Sequence, residues 1–186
     1  MCAHKWAFVL VLTLAVAGEG WAQSQYRLGR KATEAEIAVL NIDVAPNGAG
    51  LPAGKGSVAE GKVVYDSKCA ACHGAKGEGK PADRLVGGVG SLKTGKPVKT
   101  VGSFWPYATI VYDYVYRSMP YDRPQSLTPG ETYAVTAYLL HLNDIVAAST
   151  TLDATSLPKV RMPNQDGFTG DPRPDVVGTP CMRDCR

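Results

Sequence analysis

The run Cys69-Ala70-Ala71-Cys72-His73 constrains this chain more than any other stretch. Two cysteines separated by two residues and followed at once by a histidine are the attachment signature of c-type haem. The thiols add across the two haem vinyl groups, and the adjoining His73 then reaches the iron from the proximal side. A structural zinc site would need a second ligand pair at comparable spacing, and none follows His73. A thioredoxin-like redox pair would need a βαβ pattern around it, whereas the flank here is rich in glycine. The expected cofactor is therefore one covalently bound c-type haem, attached through Cys69 and Cys72 with His73 on the iron.

Haem attachment of this kind belongs to an exported protein, and the first residues agree. Lys5, an apolar run from Trp6 to Ala17, and Gly20-Trp21-Ala22 before Gln23 fit a secretory signal with a small-residue cleavage site. The run is shorter than the roughly 20 apolar residues of a membrane-spanning helix, so residues 1–22 read as a cleaved leader and the location as bacterial periplasm. Cleavage removes Cys2 and haem takes two thiols, which leaves Cys181 and Cys185. In an oxidising compartment these two are expected to pair as a disulfide. The formal charge of +3 falls near neutral with two haem propionates, which gives no argument for a nucleic-acid or anionic-membrane partner. No later apolar run is long enough to span a bilayer.

Three helices are expected to build the haem domain. Val58 to Lys68 delivers the haem motif, with Gly61, Tyr65 and Cys69 at i, i+4 and i+8 on one face. A glycine inside a helix costs about 1 kcal/mol relative to alanine, which predicts a second helix crossing closely at Gly61. The crossing partner is an amphipathic helix that starts at the capping box Thr128-Pro129-Gly130-Glu131, carries Val135, Tyr138, Leu139 and Leu142 on one face, and ends near Asn143. Between them, Pro106 to Ser118 reads as a helix with Ile110, Val111, Tyr114 and Val115 on one side, stopped by Pro120. The segment Gly74 to Gly102 reads as irregular chain against a haem edge. Within it Arg84, which binds carboxylates bidentately, is the candidate propionate contact.

Outside this domain lie two arms. Residues 23–57 contain a short amphipathic helix around Thr33 to Leu40 with a capping box at Thr33-Glu34-Ala35-Glu36, then a turn-rich loop from Pro46 to Gly56. Residues 147–186 lose all periodicity and are rich in proline and glycine. Such arms either drape over their own domain or contact a partner. The expected division is leader 1–22, N-terminal arm 23–57, cytochrome domain 58–146 and C-terminal arm 147–186.

An electron-shuttling haem needs a second axial ligand, and a thioether also raises its reduction potential. Met119 lies directly after a helix and before Pro120, in a segment the fold can hold rigidly across the haem from His73. Met162 and Met182 lie in the arm, with Met162 the reserve, and His141 sits inside a helix assigned to packing. The expected pair is His73 and Met119.

The helix, C-x-x-C-H, Met-Pro loop and amphipathic C-terminal helix together resemble the class I cytochrome c family over about Val58 to Val146. The expected fold is thus all-α, with irregular arms. Tyr26-Arg27-Leu28-Gly29-Arg30, Ile42-Asp43-Val44, Leu51-Pro52-Ala53-Gly54, Asp83-Arg84-Leu85-Val86-Gly87-Gly88, Thr100 to Thr109 and Met162-Pro163-Asn164 more specifically resemble the cytochrome subunit of the Sox sulfane dehydrogenase and related sulfite dehydrogenases. That resemblance implies electrons received from a molybdenum-cofactor subunit and passed to another cytochrome c. With one C-x-x-C-H, the chain corresponds to a single-haem form. A freely diffusing electron carrier would have the same core, and a haem enzyme such as a peroxidase would need an open iron position, against which Met119 argues.

Overall fold

The computed structural model describes residues 29–170. The leader, Cys181, Cys185 and Met182 lie outside the described residues. The chain divides into two compact units, Met1–Asn41 and Ile42–Arg186. The described part of the first unit contains α1, Glu34–Leu40, whose Thr33 and Glu36 form the expected capping box. None of its residues is buried: Ile37, Val39 and Leu40 are exposed.

The second unit is helical: α2 (Val58–Lys68), α3 (Ala70–His73), α4 (Ala108–Ser118) and α5 (Pro129–Leu142). Among the described residues one antiparallel pair, β1 (Lys55–Ser57) and β2 (Thr151–Asp153), accompanies these helices, with Gly56 opposite Leu152. Capping boxes start two of the three long helices of this unit, and α4 has none. Thr128 and Glu131 cap α5 with Pro129 at its first turn, and Ser57 and Glu60 cap α2. Each cap satisfies backbone N–H groups that the helix cannot, a contribution of about 1 kcal/mol.

The structure places α5 at the centre, not on a surface. Every residue from Thr132 to Leu140 is buried, so the one-sided amphipathic pattern expected there is not what is found. The cause is that α2, α4 and the strand pair all pack on it, and a helix covered on every side needs no polar face. Close approach is possible because two glycines meet its backbone at one place. A Cβ on Gly61 would overlap the Ala134 carbonyl and lie 2.8 Å from Tyr138 Cβ, and one on Gly56 would overlap the Ala134 amide. The crossing predicted at Gly61 is present.

The face of α4 also differs from expectation. Val111 and Val115 are buried as foreseen, but Tyr114 is exposed while Tyr112 and Asp113 turn inward. Tyr112 packs on Tyr133 of α5 with ring centroids 4.5 Å apart. Asp113 accepts a 2.7 Å hydrogen bond from the Val44 amide and pairs with Arg117. An acidic residue reads as surface in a periodicity count, yet here it anchors the N-terminal segment.

Both arms contribute to the core. Val44, Leu152, Leu157 and Met162 are buried in the same cluster as the helix side chains. Tyr133 donates a hydrogen bond to the Pro52 carbonyl at 2.9 Å, Thr109 donates to the Pro46 carbonyl at 3.0 Å, and Asn164 donates to the Phe104 carbonyl at 2.8 Å. Packing therefore continues past Val58 and Val146 on both sides. No helix among the described residues is long and apolar enough to cross a membrane.

Candidate haem-binding site

Helix α2 ends where the haem motif begins. Cys69 caps it through a hydrogen bond from its amide to the Tyr65 carbonyl, and the chain immediately makes one further turn, α3, that carries Cys72 and His73. The Cys72 and His73 amides both donate to the Cys69 carbonyl, at 3.1 and 3.0 Å. One turn thus holds the two thiols and the imidazole together. Both cysteines are free thiols, Cys69 half-buried and Cys72 exposed. Before haem is attached, burial pushes the Cys69 thiol up to about 11.

The histidine is oriented by backbone. Its Nδ1 lies 2.8 Å from the Asp83 carbonyl, and because a carbonyl can only accept, Nδ1 carries the proton. In the neutral ring Nε2 is then the nitrogen without a proton, and it makes no hydrogen bond among the described residues. That is the tautomer a metal-ligating histidine needs, fixed by a partner on its other nitrogen.

The loop that presents Asp83 is itself tied to the haem motif. Gly79 donates to the His73 carbonyl at 2.8 Å and Ala82 to the Cys72 carbonyl at 2.9 Å. Gly74, at φ 83, turns the chain out of α3 in a conformation that glycine adopts without strain. Its carbonyl accepts a 2.8 Å hydrogen bond from the hydroxyl of Tyr65, a wholly buried residue that also packs on Tyr138 at 5.3 Å. Burial raises the Tyr65 phenol to about 12, so the hydroxyl is a donor throughout the physiological range. Neither the Asp83 carbonyl nor the Tyr65 hydroxyl was named by the sequence motif.

The remaining candidates divide by position. Met119 caps the C-terminus of α4, its amide bonded to the Val115 carbonyl at 3.0 Å, and its side chain is half-buried at the edge of the core. Met162 is 1% exposed and packed inside the core. His141, in the last turn of α5, has Nδ1 3.1 Å from the Val146 carbonyl, in keeping with a packing role. Arg84 is exposed and donates from Nε to the Glu78 carbonyl at 3.3 Å.

The residues present fit a covalent haem: two unoxidised thiols and an imidazole with a free nitrogen stand on a single turn. Comparison with known proteins agrees. The family model for cytochrome c matches residues 58–143. No curated protein matches the chain. Among solved structures, the chain is similar to the sulfane dehydrogenase SoxCD from Paracoccus pantotrophus, at 43% identity and a TM-score of 0.75, over 87% of this chain and 83% of that one. A capped helix that delivers two free thiols and a backbone-oriented histidine, in a chain this similar to a sulfane dehydrogenase, makes the protein a member of the cytochrome c family: a class I, electron-transferring cytochrome with a covalently attached c-type haem.

Proposed function

We propose that this cytochrome is the electron-accepting subunit of a molybdenum-containing sulfite or sulfane dehydrogenase, exported to the periplasm, and that it hands its electrons to another cytochrome c. The observation that carries the reading is the 43% identity to a sulfane dehydrogenase across most of both chains, because that similarity extends far beyond the segment any cytochrome c would share. Haem supplies a one-electron ferric–ferrous couple. The chain's own residues would hold it: Cys69 and Cys72 through covalent bonds, and His73 on the iron in the orientation set by the Asp83 carbonyl. Met119 would supply the second iron ligand, and the Tyr65 hydroxyl ties the turn that carries Cys72 and His73 to α2. Arg84 is assigned to a propionate, and Cys181 and Cys185 to a disulfide in the tail.

With His73 and Met119 both on the iron no coordination position would remain for a substrate, so oxidation of the sulfur compound would fall to the molybdenum subunit. Co-expression of the full chain with its cognate molybdenum subunit tests the assignment. The two are expected to copurify through size-exclusion chromatography at 0.15 M salt, and elution of the cytochrome alone would make it a freely diffusing carrier instead.

A further inference from the structure

Helix α5 ends in a way that leaves one side chain free for another use. Past Leu142 the chain turns out of the helix through backbone bonds: the Asp144 amide donates to the His141 carbonyl at 2.9 Å and the Ile145 amide to the Leu140 carbonyl at 3.0 Å. Asp144 takes the left-handed conformation of such a stop, at φ 58, whereas Asn143 stays at φ −100. Asparagine often ends a helix because it tolerates positive φ. That reason does not apply at position 143.

The buried Asn143 side chain instead makes three hydrogen bonds. Its Nδ2 donates to the Leu139 carbonyl at 2.9 Å and to the Leu85 carbonyl at 3.1 Å, and its Oδ1 accepts from the Gly87 amide at 3.1 Å. Two carbonyls that only accept and one amide that only donates fix which end of the side-chain amide is which. Gly102 leaves room for it, since a Cβ there would overlap Oδ1. Among the described residues, Asn143 is the one side chain that hydrogen-bonds α5 to the turn Leu85–Gly87.

That turn adjoins the partner of His73. Ala82, on one side of Asp83, is tied by its amide to the Cys72 carbonyl at 2.9 Å. Leu85, on the other side, donates to the Gly77 carbonyl at 2.9 Å, and its own carbonyl accepts from the Val101 amide at 3.2 Å as well as from Asn143. The Asp83 carbonyl, 2.8 Å from His73 Nδ1, is therefore held between an anchor on the haem motif and an anchor on the central helix.

We propose that Asn143 is a positioning residue for the iron-ligating histidine: by fastening Leu85–Gly87 to α5 it keeps the Asp83 carbonyl on His73 Nδ1 and so tunes the imidazole as a ligand. This rests on the reading of His73 as a ligand of the haem iron. A hydrogen bond from the far ring nitrogen raises the basicity of the ligating one, and a more basic imidazole favours ferric iron. Loosening the fastening weakens that bond and shifts the couple toward ferrous iron.

The test compares the full-length holoprotein with Asn143→Leu, which can make none of the three bonds, and with Asn143→Asp, whose carboxylate keeps the size and the acceptor but cannot donate. The aspartate variant carries the test if the leucine variant fails to fold. Deuterium exchange of the His73 Nδ1 proton, followed by NMR, is expected to quicken about tenfold in both, the effect of losing about one hydrogen bond. The equilibrium with a mediator of fixed potential should move toward reduced haem about threefold. Thr109→Val, which removes the buried hydrogen bond to the Pro46 carbonyl, is the control for lost stability alone. Its Tm should fall while exchange and equilibrium stay within about twofold of the parent. Asn143 variants that lose Tm but match this control in both readouts would make Asn143 a packing residue only and overturn the proposal. A ferric parent protein whose His73 ring carries no hyperfine shift would overturn it differently, by removing His73 from the iron.

Discussion

Met119→Ala is expected to abolish sulfur ligation of the iron, removing the weak near-infrared sulfur-to-iron band of the oxidised protein and lowering the reduction potential. Axial ligation commands a range of about 0.8 V across haem proteins, and loss of a thioether should account for roughly 0.1–0.3 V of it. The variant should also bind exogenous imidazole, which ligation by Met119 should prevent in the parent protein. Met119 is the candidate because it terminates α4 with its side chain half-buried at the core edge, while Met162 is already occupied by packing at 1% exposure. Retention of the near-infrared band in Met119→Ala would transfer the role to Met162 or Met182.

Gly61→Ala should cost the holoprotein more stability than its single added methyl group suggests. The new Cβ would overlap the Ala134 carbonyl and crowd Tyr138, and backbone cannot swing aside as a side chain tip can. Overpacking of this kind costs about 1–3 kcal/mol, and more where backbone must shift. The gain in helix propensity, about 1 kcal/mol, opposes it, so with the backbone contact putting the cost at the top of that range a net loss of about 2 kcal/mol is expected. For a chain of this size that is a fall in Tm of about 4–8 °C. Gly95→Ala, where a Cβ meets nothing within 4 Å, should move Tm by less than about 2 °C. Equal Tm values for the two variants would mean that α2 and α5 do not cross as described.

The features legible in the sequence were those written in side chains over short distances. The haem motif, the capping boxes at Thr33 and Thr128, and a glycine placed for a helix crossing are all local signals, and each has its counterpart in the structure. The partner of His73 was not legible, because a backbone carbonyl carries no residue signature and Asp83 contributes only that carbonyl. The β1–β2 pair escaped for another reason. Three residues at each end of the domain show no alternation, and Lys55 meets Asp153 only once the helices have brought the two arms together. The inward turn of Asp113 was hidden by its charge, which the Val44 amide and Arg117 satisfy across long and short separations at once. With those contacts and the burial of Leu152, Leu157 and Met162, much of each arm belongs to the cytochrome's own core.

The most direct measurement is anaerobic mixing of the oxidised holoprotein with the cognate molybdenum subunit, followed at the haem absorption bands. With sulfite or a sulfane-sulfur substrate present, the account predicts rapid appearance of the reduced haem spectrum, and no reduction when either the molybdenum subunit or the substrate is withheld. A haem that stays oxidised in the complete mixture, while a chemical reductant still reduces it, would contradict the account.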